Sequence, residues 1–153
     1  MNQVIYFDTS ALAKWYIRET RSDEVAKYIQ EHGPIDISDL TVVEMRALLA
    51  RRRRERSIDS KTEIKVYATF EDDIRQKFLI CHSLPTDFAA GAVNLLSVLN
   101  ELPLRTLDVV HLTIAKEIQA EILATADRVM AAGAKAMGLS VITFLKPDND
   151  GRK

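Results

Sequence analysis

The chain has 153 residues, 47% hydrophobic and 28% charged, which suits one domain built on one core. Its formal net charge of −1 gives no global attraction for nucleic acid or membrane, so any electrostatic argument must rest on local clusters. The single cysteine, Cys81, excludes an intramolecular disulfide and a thiolate metal cage. The N-terminal "MNQVIYFDTS" lacks a signal-peptide pattern, and no apolar run reaches the ~18 residues of a membrane span, so a cytoplasmic protein is expected.

The elements follow in chain order. "VIYF" (4–7) has the β-branched and aromatic character of a buried strand, and "SALAKWYIRE" (10–19) reads as a helix. "SDEVAKYIQEHG" (22–33) is a helix with Ser22 as a candidate N-cap and Gly33 at its end. "PIDIS" (34–38) is a second strand, and "LTVVEMRALLARRRRER" (40–56) is a long helix. The next helix (59–78) has Ser60 and Glu63 at capping-box spacing. "FLICHSL" (78–84) is a third strand, stopped by Pro85. Helices over 87–101 and 107–119 precede a fourth strand, "EILATA" (121–126). A small-residue helix (128–138) leads into a fifth strand, "LSVITF" (139–144). One domain over 1–146 and a polar, frayed tail over 147–153 are expected. Apolar strands alternating with helices imply an α/β fold with a mostly parallel sheet.

Four acids stand out by position. Asp8 follows strand one, Glu44 lies in the first turns after strand two, Asp108 begins the helix before strand four, and Asp127 follows strand four. In a parallel sheet the strand C-termini and the helix starts after them share one edge, where ligands bind. Asp8, Glu44 and Asp127 therefore converge by topology. Asp108 joins them if "ELPLRT" (101–106) brings the chain back to that edge. Crowded carboxylates repel unless a cation is shared, and oxygen-only donors suit a hard divalent ion, Mg²⁺ or Mn²⁺. Such an ion serves phosphodiester hydrolysis. Each acid also has a plain structural reading. Thr41 and Glu44 have capping-box spacing, Asp127 suits an N-cap, and Asp108 suits a helix first turn.

"FDTSALAKWY", "LTVVEMRALLAR", "LRTLDVVHLTIA" and "ILATADRVMAAGAKAMGLSVI", in this order from Val4 to Phe144, resemble the acidic motifs of PIN domains, and the chain's length resembles the VapC-type toxins of toxin–antitoxin pairs. The resemblance implies a metal-dependent endoribonuclease on a three-layer α/β/α sandwich with a five-stranded parallel sheet. It implies that Asp8, Glu44 and Asp108 are the core metal ligands and that Asp127 acts directly or through water. It gives Thr9, Ser10 and Thr125 the role of orienting the acids. It also implies an RNA substrate, a cognate antitoxin that covers the acidic crevice, and a homodimer.

"RRRRER" (51–56) is the strong basic cluster of the chain. It reads equally as a solvated helix end and as a place for RNA phosphates or an acidic partner, with Arg51 and Arg52 the nearest candidates. Arg51 lies ~10 Å along the helix from Glu44 at ~1.5 Å per residue, which suits contact away from the scissile bond. Lys14 reads as a snorkelling surface lysine that is also within reach of a phosphate. His111, one turn from Asp108, reads as a packed histidine that is also within reach of the site or of an RNA phosphate. Two further functions fit the acids: a module that keeps them only as caps, and a phosphatase with Asp8 as nucleophile. Against the second, position 10 holds Ser10 rather than a second acid.

Overall fold

The computed structural model describes residues 3–147. The elements run β1 (Ile5–Phe7), α1 (Thr9–Tyr16), α2 (Ser22–His32), β2 (Ile35–Ser38), α3 (Asp39–Arg54), α4 (Ser60–Arg75), β3 (Leu79–His82), α5 (Phe88–Val98), α6 (Thr106–Glu117), β4 (Ile122–Thr125), α7 (Arg128–Ala136) and β5 (Ser140–Thr143). Each strand and helix expected from the sequence is present, mostly with shorter ends. The tail beyond Pro147 lies outside the described residues.

The five strands form one parallel sheet in the order β3-β2-β1-β4-β5. The central strand β1 is wholly buried, whereas β5 at one edge is partly exposed. Alternation along β1 divides the core in two. Ile5 and Phe7 pack with Leu12, Val25, Met45 and Phe70 from α1 to α4. Tyr6 faces the other way, among Leu95, Val110, Leu112, Met130 and Ala134 from α5 to α7. Helices therefore cover both faces, as an all-parallel sheet requires. The result is the expected three-layer sandwich.

Strand order reverses between β1 and β4, since the chain builds outward on one side through β2 and β3 and on the other through β5. That reversal opens a crevice at the strand C-termini. Asp8 lies at one wall and Thr125 to Asp127 at the other. The backbone N–H of Asp8 still donates to Ala124 O at 3.1 Å, so the two walls are held in register to the crevice edge.

Several caps differ from the sequence reading. The capping box of α3 is Ser38 with Thr41, three positions earlier than the expected Thr41 with Glu44, because Ser38 ends β2 and α3 begins at Asp39. Glu44 is thereby released from any capping duty. The N-cap of α4 is Asp59, whose carboxylate accepts from Thr62 N at 2.7 Å. Glu63 is not its capping partner. It is buried and takes Arg46 at 3.1 Å and Arg53 at 2.9 Å, bracing α4 against α3. Arg21, at φ 70°, stands at the N-cap of α2, and Ser22 is its first helical residue.

Candidate active site

Asp8 leaves β1 in extended conformation and becomes the N-cap of α1. Its Oδ1 accepts from Ser10 Oγ at 2.7 Å and from Ala11 N at 3.0 Å, and its Oδ2 accepts from Thr125 Oγ1. The residue is 3% exposed. Burial pushes its carboxyl pKa up, and the opposing charge of His111 and the bonds from Thr125, Ser10 and Ala11 only partly offset that. Three donors thus hold the carboxylate in place, while its burial disfavours the charged form.

The opposite wall repeats the theme. Thr125 Oγ1 accepts from Asp127 N at 3.0 Å while donating to Asp8. Ser10 Oγ accepts from Ala126 N at 2.9 Å. Asp127 caps α7, its Oδ1 accepting from Met130 N at 2.8 Å. Thr125 and Ser10 therefore stitch the ends of β1 and β4 together and join the Asp8 and Asp127 positions.

Glu44 enters from α3. Its Oε1 accepts from Thr9 Oγ1 at 2.9 Å and lies 2.5 Å from His111 Nε2. Partial burial raises its pKa, but the hydrogen bond and charge of His111, with the Thr9 hydroxyl, outweigh burial and hold the carboxyl below its usual range. His111 Nδ1 lies 2.6 Å from Tyr6 Oη, and Tyr6 Oη lies 2.9 Å from Ser38 Oγ. Neither Tyr6 nor Ser38 was singled out from the sequence. A signal existed: Tyr6 lies two residues before Asp8 on a buried strand, so it shares Asp8's side of the sheet, and a buried phenol needs a partner.

Asp108 lies in the first turn of α6, and its Oδ2 accepts from Arg105 N at 2.9 Å. It shares a cleft of about 640 Å³ with Glu44, Leu96, Leu104, Arg105 and Leu107. The loop before α6 thus returns the chain to the edge that holds Glu44. Thr9, beside Asp8, bonds Glu44 and links the two halves of the constellation.

Among the described residues, no three His, Cys, Asp or Glu side chains are grouped closely enough to hold a metal ion. The carboxylates are turned instead onto protein donors. The donor set nevertheless fits a hard cation. All four acids offer oxygen, and among the described residues neither Glu44 Oε2 nor Asp108 Oδ1 carries a hydrogen bond. Asp8 supplies a buried carboxylate with no cationic side chain hydrogen-bonded to it among the described residues.

A second cleft, of about 620 Å³, opens beside Ser10 and Ala126 and is walled by Lys14, Glu19, Arg51, Arg52 and Lys146. Lys14 is not the surface lysine the sequence suggested. It is 3% exposed, with its Nζ donating to Thr20 O at 2.8 Å and pairing with Glu19 at 3.2 Å. Arg52 pairs with the same Glu19 at 2.8 Å. Arg51 has no ion-pair partner among the described residues and is exposed. His111 is likewise corrected as an RNA contact: it is 3% exposed and both ring nitrogens are engaged inside the protein.

A family model described as PIN domain matches residues 5–144. The chain is 32% identical over 141 residues to Ribonuclease VapC46 of Mycobacterium tuberculosis, covering 90% of this chain and 95% of that protein. Its fold is similar to that of M. tuberculosis VapC20, a sarcin-ricin loop cleaving toxin, with a TM-score of 0.68 and 16% identity over 94% of this chain and 99% of that one. It is similar also to the crystal structure of VapBC2 from Rickettsia felis bound to promoter DNA, with a TM-score of 0.63 and 12% identity over 92% and 98% of the two chains.

Proposed function

Because the chain belongs to the PIN domain family, we propose that it is a metal-dependent endoribonuclease that hydrolyses RNA phosphodiester bonds, and that it is the toxin of a toxin–antitoxin pair. The observation that carries the reading is the buried Asp8 at the β1/β4 reversal, joined by Thr125 to the Asp127 position and, through its neighbour Thr9, to Glu44. Asp8, Glu44 and Asp108 would hold the cation, with Asp127 direct or through water. A divalent ion bound there, Mg²⁺ or Mn²⁺, supplies Lewis-acid charge at the scissile phosphate and lowers the pKa of the attacking water.

This chain's own residues do the rest. Ser10, Thr125 and Ala11 N fix Asp8, and Thr9 and His111 fix Glu44, so the anionic oxygens are set before substrate arrives. Arg51, exposed on the wall of the cleft next to Ser10, is placed to take RNA phosphates away from the scissile bond. An aspartyl-phosphate route has less support, since both oxygens of Asp8 already accept hydrogen bonds. A cognate antitoxin, a homodimer and a cytoplasmic setting complete the proposal. Among the described residues no helix is long and apolar enough to cross a membrane.

The test is cleavage of structured RNA by purified protein with Mg²⁺, Mn²⁺ or chelator, beside Asp8→Asn. Metal-dependent cleavage lost in the variant is expected. Cleavage that survives both chelator and Asp8→Asn would refute the proposal.

A further inference from the structure

A line of buried hydroxyl and imidazole groups runs from the start of α3 to the carboxylate of Glu44. Ser38 N donates to Thr41 Oγ1 at 3.3 Å, and the two hydroxyls lie 3.5 Å apart. Ser38 Oγ meets Tyr6 Oη at 2.9 Å, Tyr6 Oη meets His111 Nδ1 at 2.6 Å, and His111 Nε2 meets Glu44 Oε1 at 2.5 Å. Four elements supply it: β1, β2 with the α3 cap, α6 and α3. Tyr6 and Ser38 are fully buried and His111 is 3% exposed, so water cannot substitute for any link.

Each link of this line is within hydrogen-bond distance. Glu44 Oε1 accepts from Thr9 Oγ1 and lies 2.5 Å from His111 Nε2, an arrangement in which Nε2 carries the proton that faces it. The other ring nitrogen, Nδ1, lies 2.6 Å from the Tyr6 phenol, and this second bond fixes the plane of the ring. Ser38 Oγ meets Tyr6 Oη at 2.9 Å and Thr41 Oγ1 at 3.5 Å, which closes the line at the start of α3. No group in the line is left unsatisfied, and among the described residues no buried side-chain polar atom lacks a partner.

Thr9 and His111 both reach Oε1 of Glu44. Two donors on one oxygen fix the carboxylate plane and leave Oε2 without a hydrogen bond among the described residues, while Glu44 and Asp108 line one cleft. We propose that His111 is a positioning residue for Glu44, held in place by Tyr6 and Ser38, so that the Glu44 carboxylate is presented to the divalent cation. The proposal rests on the nuclease reading above, in that Glu44 is taken as a cation ligand. An imidazole that donates to a ligating carboxylate typically tunes metal affinity by 10- to 100-fold.

Two measurements test it. The first needs no metal. The protein has three histidines, His32, His82 and His111, so ¹⁵N-labelled imidazoles can be assigned by loss of one signal in His111→Gln. The expected His111 signature is a protonated Nε2 and an Nδ1 signal that shifts in Tyr6→Phe. An unprotonated Nε2, or a spectrum indifferent to Tyr6→Phe, would overturn the ordered line. The second is Mn²⁺ binding without RNA, followed by electron paramagnetic resonance. His111→Leu is expected to weaken binding by roughly tenfold or more. His111→Gln, whose amide N–H can reach the place of Nε2, is expected to restore most of it. Tyr6→Phe, which keeps the packing, is expected to fall between them.

Wild-type affinity in folded His111→Leu would overturn the positioning role while leaving the nuclease reading intact. Absence of Mn²⁺ binding by the wild-type protein would overturn the metal reading itself, and with it the role of His111 towards a cation.

Discussion

Thr125 donates its hydroxyl to Asp8 across the reversal between β4 and β1, while the same oxygen accepts from the backbone N–H of Asp127. One buried oxygen thus holds two acidic positions at a set distance from each other. Thr125→Val keeps the shape of the side chain and removes both bonds. It is expected to cost about 1–3 kcal/mol, the penalty for leaving buried polar groups unpaired. Denaturant unfolding of the two proteins measures it, and RNA cleavage should fall in parallel because Asp8 loses one of its restraints.

Asp8→Asn separates charge from shape. The amide can still accept from Ser10 and Ala11 N and can donate towards Thr125 Oγ1, so the fold keeps its contacts. Cleavage is expected to vanish while the melting temperature of the metal-free protein stays level or rises. A variant that unfolds instead would show that the Asp8 charge supports the fold.

The pH dependence of the metal-free protein follows from the same residue. Burial raises the pKa of Asp8 in the folded state above its unfolded value. A group raised in this way favours folding while protonated, and that contribution is lost as pH rises through the folded pKa. Stability of the metal-free wild type should therefore show a component that declines with rising pH above the ordinary carboxylate range. Melting curves of wild type against Asp8→Asn isolate it, because the variant cannot titrate there.

A cation that binds only the folded protein must raise its stability, by about 2.7 kcal/mol at a hundredfold excess over Kd. Mn²⁺ should raise the melting temperature of the wild type, chelator should reverse the gain, and Glu44→Gln should reduce it. Equal melting with and without Mn²⁺ would speak against the carboxylates as a metal site.

Arg51 is exposed on the wall of the basic cleft and makes no ion pair among the described residues. Arg51→Ala should weaken RNA binding and lower the salt slope by about one, as expected for loss of one phosphate contact. Turnover at saturating RNA should change little. Binding titrations at several salt concentrations decide it.

The sequence carried the architecture well because its signals are local. Apolar strands of buried β-branched residues, helical runs between them and terminators such as Gly33 and Pro85 fix elements almost without reference to the rest of the chain. The edge at which Asp8 and Asp127 meet was also legible, since parallel topology alone puts strand ends together. What escaped was the pairing of side chains from distant elements. His111 was legible only as one turn from Asp108, and nothing in its neighbourhood names Tyr6, 105 residues away, as its partner. Lys14 was misjudged for the same reason. Its burial depends on Glu19 and Thr20 folding back over it, after a helix that ends at Tyr16 rather than continuing to Glu19. The capping box of α3 was misplaced by three residues because Thr41 reads as a cap in sequence but serves as the partner of Ser38 in space.

The arginine run at the end of α3 looks like a single basic patch when written as letters, yet its members are divided among separate tasks. Arg52 closes on Glu19, and through it on Lys14, across the mouth of the basic cleft, while Arg53 joins Arg46 on the buried Glu63 of α4. Two of the four consecutive arginines are therefore tie-rods between segments far apart in the chain. Neutralising the whole run at once would unfasten α4 and the segment after α1 before it reported anything about RNA. The charge that is free to meet a polyanion is much smaller than the run suggests, and it can be examined only one arginine at a time.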